Sequence, residues 1–182
     1  LSNDPREREK NNVALMTAAG DYDVVFLADF EGEFASYVPY QTNRPRPVVG
    51  TEGLIATAWH WAWERHGAPQ LNQRFEKLAK RGMTGTDWAA WAAVKAVVEA
   101  AVRTKSADFK IVRTYLRGDQ LTLDAYKGNP VSFRPWDNQL RQPLLLRTHN
   151  AIITRAPLKG FLHPIENMDT LGFDAGDKQC RF

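Results

Sequence analysis

The run Asp21-Tyr-Asp-Val-Val-Phe-Leu-Ala-Asp29, echoed by Pro47-Val-Val-Gly-Thr-Glu-Gly-Leu54, constrains the fold of this chain more than any other feature. Both are short, continuous and β-branched, and each ends in a loop that carries acids. Such runs, bounded by turn residues, suit strands buried on both faces of a mostly parallel sheet. In open α/β sheets, ligands sit beyond the carboxyl ends of the strands. Asp29, Glu31, Thr51 and Glu52 therefore stand where a ligand is expected. The same residues also read as solvated loop acids or helix caps.

Around these strands the pattern is helical. Asn3 or Asp4 is placed to cap a helix with Pro5 in its first turn, running through Val13, Leu15 and Met16 to Gly20. Residues 33–40 read as a short helix, and the stiff turn Asn43-Arg-Pro-Arg-Pro47 delivers the second strand. The resulting helix, strand, helix, strand order predicts a βαβ-type layer. Residues 57–67 carry Trp59, Trp61 and Trp63; a strand would align all three and a helix only Trp59 and Trp63. The Ala, Glu and Arg content of the end of this stretch predicts that it becomes helical.

Residues 70–80 predict an amphipathic helix with Leu71, Phe75 and Leu78 inward. Thr86 or Asp87 opens the longest helix, residues 88–102, whose alanines imply close packing. Asp108 caps a further helix that ends at Gly118. Strand-like runs follow at 121–126, 131–133, 143–147 and 151–154, the last two separated by the turn Thr148-His-Asn150. Residues 157–182 mix Gly, Pro and acids with Phe161, Leu162 and Ile165 and read as a segment wrapping a surface.

Bulk properties exclude several classes. A length of 182 residues suffices for one core or for parts of two lobes. A net charge of +3, with both signs interspersed, gives no basic stripe for nucleic acid. No run approaches the roughly 20 apolar residues that span a bilayer. The charged residues 1–10 read as a helix N-terminus and not as a signal peptide. Cys180 is the single cysteine, so no disulfide forms within the chain.

Candidate chemistry points to binding. Trp59, Trp61 and Trp63 suit stacking on an aromatic or cationic ligand, or filling a core. Trp88 and Trp91, three apart on a helix, suit packing. His163, Glu166, Asp169, Asp174 and Asp177 form an oxygen-rich series in which a metal site can be imagined; exposed tail acids are the plainer reading, and no metal is expected. Motifs for a nucleophile elbow, a zinc hydrolase or a phosphate loop are absent. No enzyme activity, catalytic residue or cofactor is expected.

Longer phrases carry a family resemblance. The strand ending at Ala28-Asp29, the Val48-Val-Gly-Thr-Glu-Gly-Leu54 loop, the helix with Trp88-Ala-Ala-Trp-Ala-Ala-Val94, and Ile111-Val-Arg-Thr-Tyr-Leu116 followed by residues 123–133 resemble a type I periplasmic solute-binding protein of an ABC transporter, the group that includes branched-chain amino acid binders. Phe133-Arg-Pro-Trp-Asp-Asn-Gln-Leu-Arg-Gln-Pro143, Thr148-His-Asn-Ala-Ile-Ile153 and the ending at residues 171–182 resemble the branch associated with PQQ-dependent alcohol oxidation systems.

The resemblance implies an α/β fold of two parallel-sheet lobes with flanking helices. This chain would be an incomplete C-terminal portion, with Leu1 an internal cut. Residues 1–56 would belong to the second lobe, 57–141 to the first, and 142–182 would return to the second. It further implies a periplasmic receptor that holds a small ligand between its lobes, with an ABC permease and the missing N-terminal half as partners. Glu52 falls on the position that holds a ligand ammonium in amino-acid-binding relatives; Thr51, Asp29, Glu31 and Trp59 complete the expected ligand-binding set. The ligand remains open among an amino acid, an alcohol-derived compound, a cofactor-related molecule and a metal complex. The alternative is an interaction protein of the same fold that binds a periplasmic dehydrogenase or cytochrome.

Overall fold

A computed structural model describes residue 4, residues 13–30 and residues 35–177. Glu31, Cys180 and the expected helix cap at Asn3 lie outside the described residues. The protein is mixed α/β, with small parallel and antiparallel sheets and flanking helices. It divides into two compact units: unit 1 holds residues 1–56 and 146–154, and unit 2 holds residues 57–145 and 155–182. The divisions thus fall after Ala56, Leu145 and Thr154, where the sequence reading places them after 56 and 141 only.

In unit 1, α1 (Val13–Met16) precedes β1 (Val25–Leu27), a 3-10 helix at Ala35–Tyr40 and β2 (Val48–Gly50). β1 and β2 pair in parallel, Val25 opposite Val48 and Leu27 opposite Gly50. The expectation of strands buried on both faces is corrected here. Phe26 is 74% exposed and Val24 is also exposed, because a two-stranded sheet has one layer of described residues against it. Three further strands, β3 (Ile55–Thr57), β6 (Leu144–Arg147) and β7 (Ile152–Ala156), form a sheet in the order β3-β6-β7, and the divisions between units fall within them.

Unit 2 is built on helices. α2 (Ala68–Ala79) starts with proline in its first turn and ends on Lys80 in the left-handed region. Leu71 is buried in it, but Leu78, expected inward, is 85% exposed. α3 (Gly85–Thr104) opens one turn earlier than the sequence indicated. Thr84 caps it, its hydroxyl accepting from the Asp87 N–H while the Asp87 carboxylate accepts from the Thr84 N–H, a reciprocal capping box. Trp88, Ala92, Ala96 and Ala100, four apart, form the buried stripe of α3, and α4 (Phe109–Arg117) packs against α3. Asp108 caps α4, accepting from the Lys110 and Ile111 N–H groups.

After β3 ends at Thr57, residues 58–67 are irregular and not helical. The indoles hold them instead: Trp59 Nε1 donates to Asn72 Oδ1 at 2.9 Å, and Trp63 Nε1 donates to the Tyr126 carbonyl at 2.9 Å. The strand expected at 121–126 is reduced to one bridge, Leu123 to Val131. β4 (Ser132–Phe133), within the run expected at 131–133, pairs antiparallel with β5 (Leu140–Arg141), which the sequence reading missed. The last described residues are fastened to it by charge. Asp169 accepts from Arg134 Nε at 2.9 Å, from Arg141 Nε at 2.7 Å and from Arg141 Nη2 at 2.9 Å. Both guanidiniums lie over the Trp136 ring, whose Nε1 donates to the Phe173 carbonyl. No helix among the described residues is long and apolar enough to cross a membrane.

Candidate functional site

At the carboxyl ends of the parallel pair, the backbone folds back on itself. The Thr51 N–H donates to the Leu27 carbonyl at 3.1 Å, and the Leu54 N–H donates to the Val48 carbonyl at 3.3 Å. Gly50 and Gly53 make this possible: at φ 117° and 96°, a side chain at either position would collide with the Leu27 or the Val48 carbonyl. The loop after β1 is tied to the loop after β2, since the Asp29 N–H donates to Thr51 Oγ1 at 2.9 Å. The Asp29 carboxylate then turns away and accepts from the Ala35 N–H, also at 2.9 Å. Thr51 and Asp29 therefore build the loops, and their polar atoms are engaged by backbone.

Glu52 differs from its neighbours. Its side chain is 16% exposed, and its one recorded charge partner is Arg147, with Oε2 and Nη1 at 3.8 Å. That oxygen is buried and has no hydrogen bond among the described residues. A buried carboxylate oxygen without a hydrogen bond is costly, which makes it a receptive point for a donor or cation. Arg147, which the sequence reading missed, ends β6 and is itself mostly buried. Its signal was weak: one cation closing the apolar run Leu144–Arg147.

An apolar groove of about 370 Å³ lies in the same unit, lined in part by Val13, Met16, Val25 and Leu27, with Thr17 and Asp29 among its polar members. Elsewhere in unit 1, the Tyr40 hydroxyl donates to Asn150 Oδ1 at 2.9 Å, and the Tyr40 and His149 rings meet edge to face at 5.3 Å.

The expected residues are thus only partly together. Asp29, Thr51 and Glu52 share the strand ends of unit 1, while Trp59 lies in unit 2. There it is 1% exposed and stacked at 6.1 Å and 7° on Trp88, so its ring faces are occupied by core. Trp63 is buried, and Trp61 is half exposed beside His60. The acids of the tail are also dispersed: His163 Nε2 lies 3.3 Å from Asp174, Glu166 accepts from the Met168 N–H, and Asp169 is committed to two arginines. Among the described residues, no group of three or more His, Cys, Asp or Glu gathers around a point.

No protein-family model and no curated protein matches this chain.

Proposed function

We propose that this chain acts as a periplasmic solute receptor of the type I class for an ABC importer linked to PQQ-dependent alcohol oxidation, and that its Glu52 loop holds a small ligand through a cationic or hydrogen-bond-donating group. The observation that carries the reading is the buried, unsatisfied Oε2 of Glu52 at the carboxyl end of a parallel strand pair. Two others support it. The chain passes three times between its units, and the uncovered Phe26 side of β1 is the kind of face that a flanking helix of such a receptor would cover. The role proposed is binding without chemistry, with the permease as downstream partner.

A thermal-shift screen of primary amines, amino acids and amino alcohols tests this reading. Compounds that stabilise the wild-type chain should leave Glu52→Gln unmoved, because the amide keeps the shape but not the charge. Equal stabilisation of both proteins removes Glu52 from the function.

A second reading, an interaction protein of the same fold that docks a periplasmic dehydrogenase or cytochrome, is favoured by the outer face of α3. Val94, Val97, Val98 and Val102 are exposed there in a row. Under this reading, Val94→Asp with Val98→Asp abolishes capture of a redox partner, and no screened compound shifts the melting temperature.

A further inference from the structure

Unit 2 contains two loops that interlock through backbone conformations rarely adopted by large side chains. His66 and Tyr126 have φ 54° and 57°, and each is close in sequence to a left-handed glycine, Gly67 at 80° and Gly128 at 82°. Each ring lies over the other loop's glycine. A Cβ on Gly67 would stand 3.0 Å from the Tyr126 ring, and one on Gly128 would stand 2.6 Å from His66 Cε1 and collide with His66 Nε2. The crossing is fastened from beneath by the Trp63 indole, which donates to the Tyr126 carbonyl. Strain of this kind persists only where its surroundings hold it, and it gathers at functional sites.

The chemistry at the crossing is specific. The same Cβ on Gly128 would lie 2.5 Å from Arg155 Nη1, so an imidazole and a guanidinium nitrogen close in on Gly128 together and leave no room there for a side chain. Arg155 is anchored by donating from Nη1 to the Lys127 carbonyl. Among the described residues its guanidinium has no other hydrogen bond and no carboxylate within ion-pair distance, and the His66 ring nitrogens have no hydrogen bond. An open depression of about 450 Å³ adjoins this point, lined by His66, Thr122, Asp124, Gly128, Asn129 and Pro130. Asp124 accepts from the Tyr126 N–H through Oδ1, which places a second, opposite charge on the wall.

We propose that this depression is a binding site for a small carboxylate that carries a neighbouring hydrogen-bond donor, a hydroxy or amino acid. The carboxylate enters the depression beside Gly128, at its His66 wall and towards the Arg155 guanidinium, where charge-assisted bonds form, and its donor group turns to Asp124. The site is separate from the Glu52 loop and stands or falls independently of it.

Titration of the full chain with acetate, glycolate and ethanolamine, followed by NMR at the Gly128 amide and the His66 imidazole, tests the assignment. Glycolate should shift both signals and saturate at a lower concentration than acetate; ethanolamine should shift neither. Arg155→Gln should weaken glycolate binding about tenfold, while Lys159→Gln, an exposed lysine nearby in sequence, should leave it unchanged. His66→Asn supplies a second arm, since asparagine tolerates the left-handed backbone but withdraws the ring, and it too should weaken binding. Equal affinity in the wild type and either site variant, an equal loss in Lys159→Gln, or no shift with any carboxylate overturns the proposal.

Discussion

Lys127 shows how much a single side chain is asked to bear in this protein. It is fully buried, and its Nζ donates to Gln142 Oε1 and to the Pro143 carbonyl and lies 3.8 Å from the Trp88 ring centre. With no carboxylate paired to it among the described residues, burial pushes the amine down to about 7 from 10.5. Between those values the unfolded chain holds a proton that the folded chain has released, so stability rises with pH from about 7 and levels off near 10.5. Lys127→Met should flatten that rise and raise the melting temperature below neutral pH; an unchanged pH slope contradicts the assignment. Asp169 has the opposite sign. Burial alone would raise its carboxyl, but hydrogen bonds from Arg141 and Arg134 outweigh this and hold it below its ordinary range. Its contribution is therefore present above the ordinary carboxylate value of 3.8 and is lost as pH falls through the lowered one. Asp169→Asn removes the carboxylate shared by two guanidiniums, leaving Arg134 only its 3.5 Å pair with Asp137, and should cost about 3–5 kcal/mol in urea denaturation at neutral pH; a loss below about 1 kcal/mol would mark the cluster as a surface pair.

At the scale of elements, caps and glycines decide where structure starts and turns. Thr84→Ala removes one half of the capping box of α3 and should cost about 1 kcal/mol, read from the denaturation midpoint. Gly50→Ala forces a side chain into the Leu27 carbonyl at a positive φ and should cost about 1–3 kcal/mol; a midpoint equal to wild type would mean that the β1–β2 closure is not as described. The elements legible in sequence were those specified locally. α3 and α4 could be read because alanine content and the Asp108 cap lie within or beside the segments themselves, although the start of α3 was set at Thr86 or Asp87 and its Thr84 cap was missed. Residues 57–67 misled because their order comes from partners far along the chain: Trp63 is fixed by the Tyr126 carbonyl and Trp59 by Asn72 and Trp88. The short strand β5 has two residues, too few to show any period. Leu78 was placed inward by spacing, yet α2 buries only the stripe through Ala68 and Leu71.

For the molecule as a whole, the parallel pair near the start of the chain organises the account. The acids at its strand ends were readable because strand direction and loop position follow from the apolar runs. Their different fates were not, since these depend on which backbone N–H groups the loops present. Thr51 and Asp29 are drawn into loop hydrogen bonds, and Glu52 is left facing Arg147 alone at 3.8 Å, a cation contributed by β6, which no local pattern links to the Glu52 loop. The groove beside Asp29 and the uncovered side of β1 likewise emerge only once the strands are paired. The central claim is that Glu52 holds a small ligand, and native mass spectrometry of the protein isolated from its source, wild type beside Glu52→Gln, tests it most directly. A small molecule retained by the wild-type protein and lost from the variant is expected; the same molecule at equal occupancy on both proteins would rule Glu52 out.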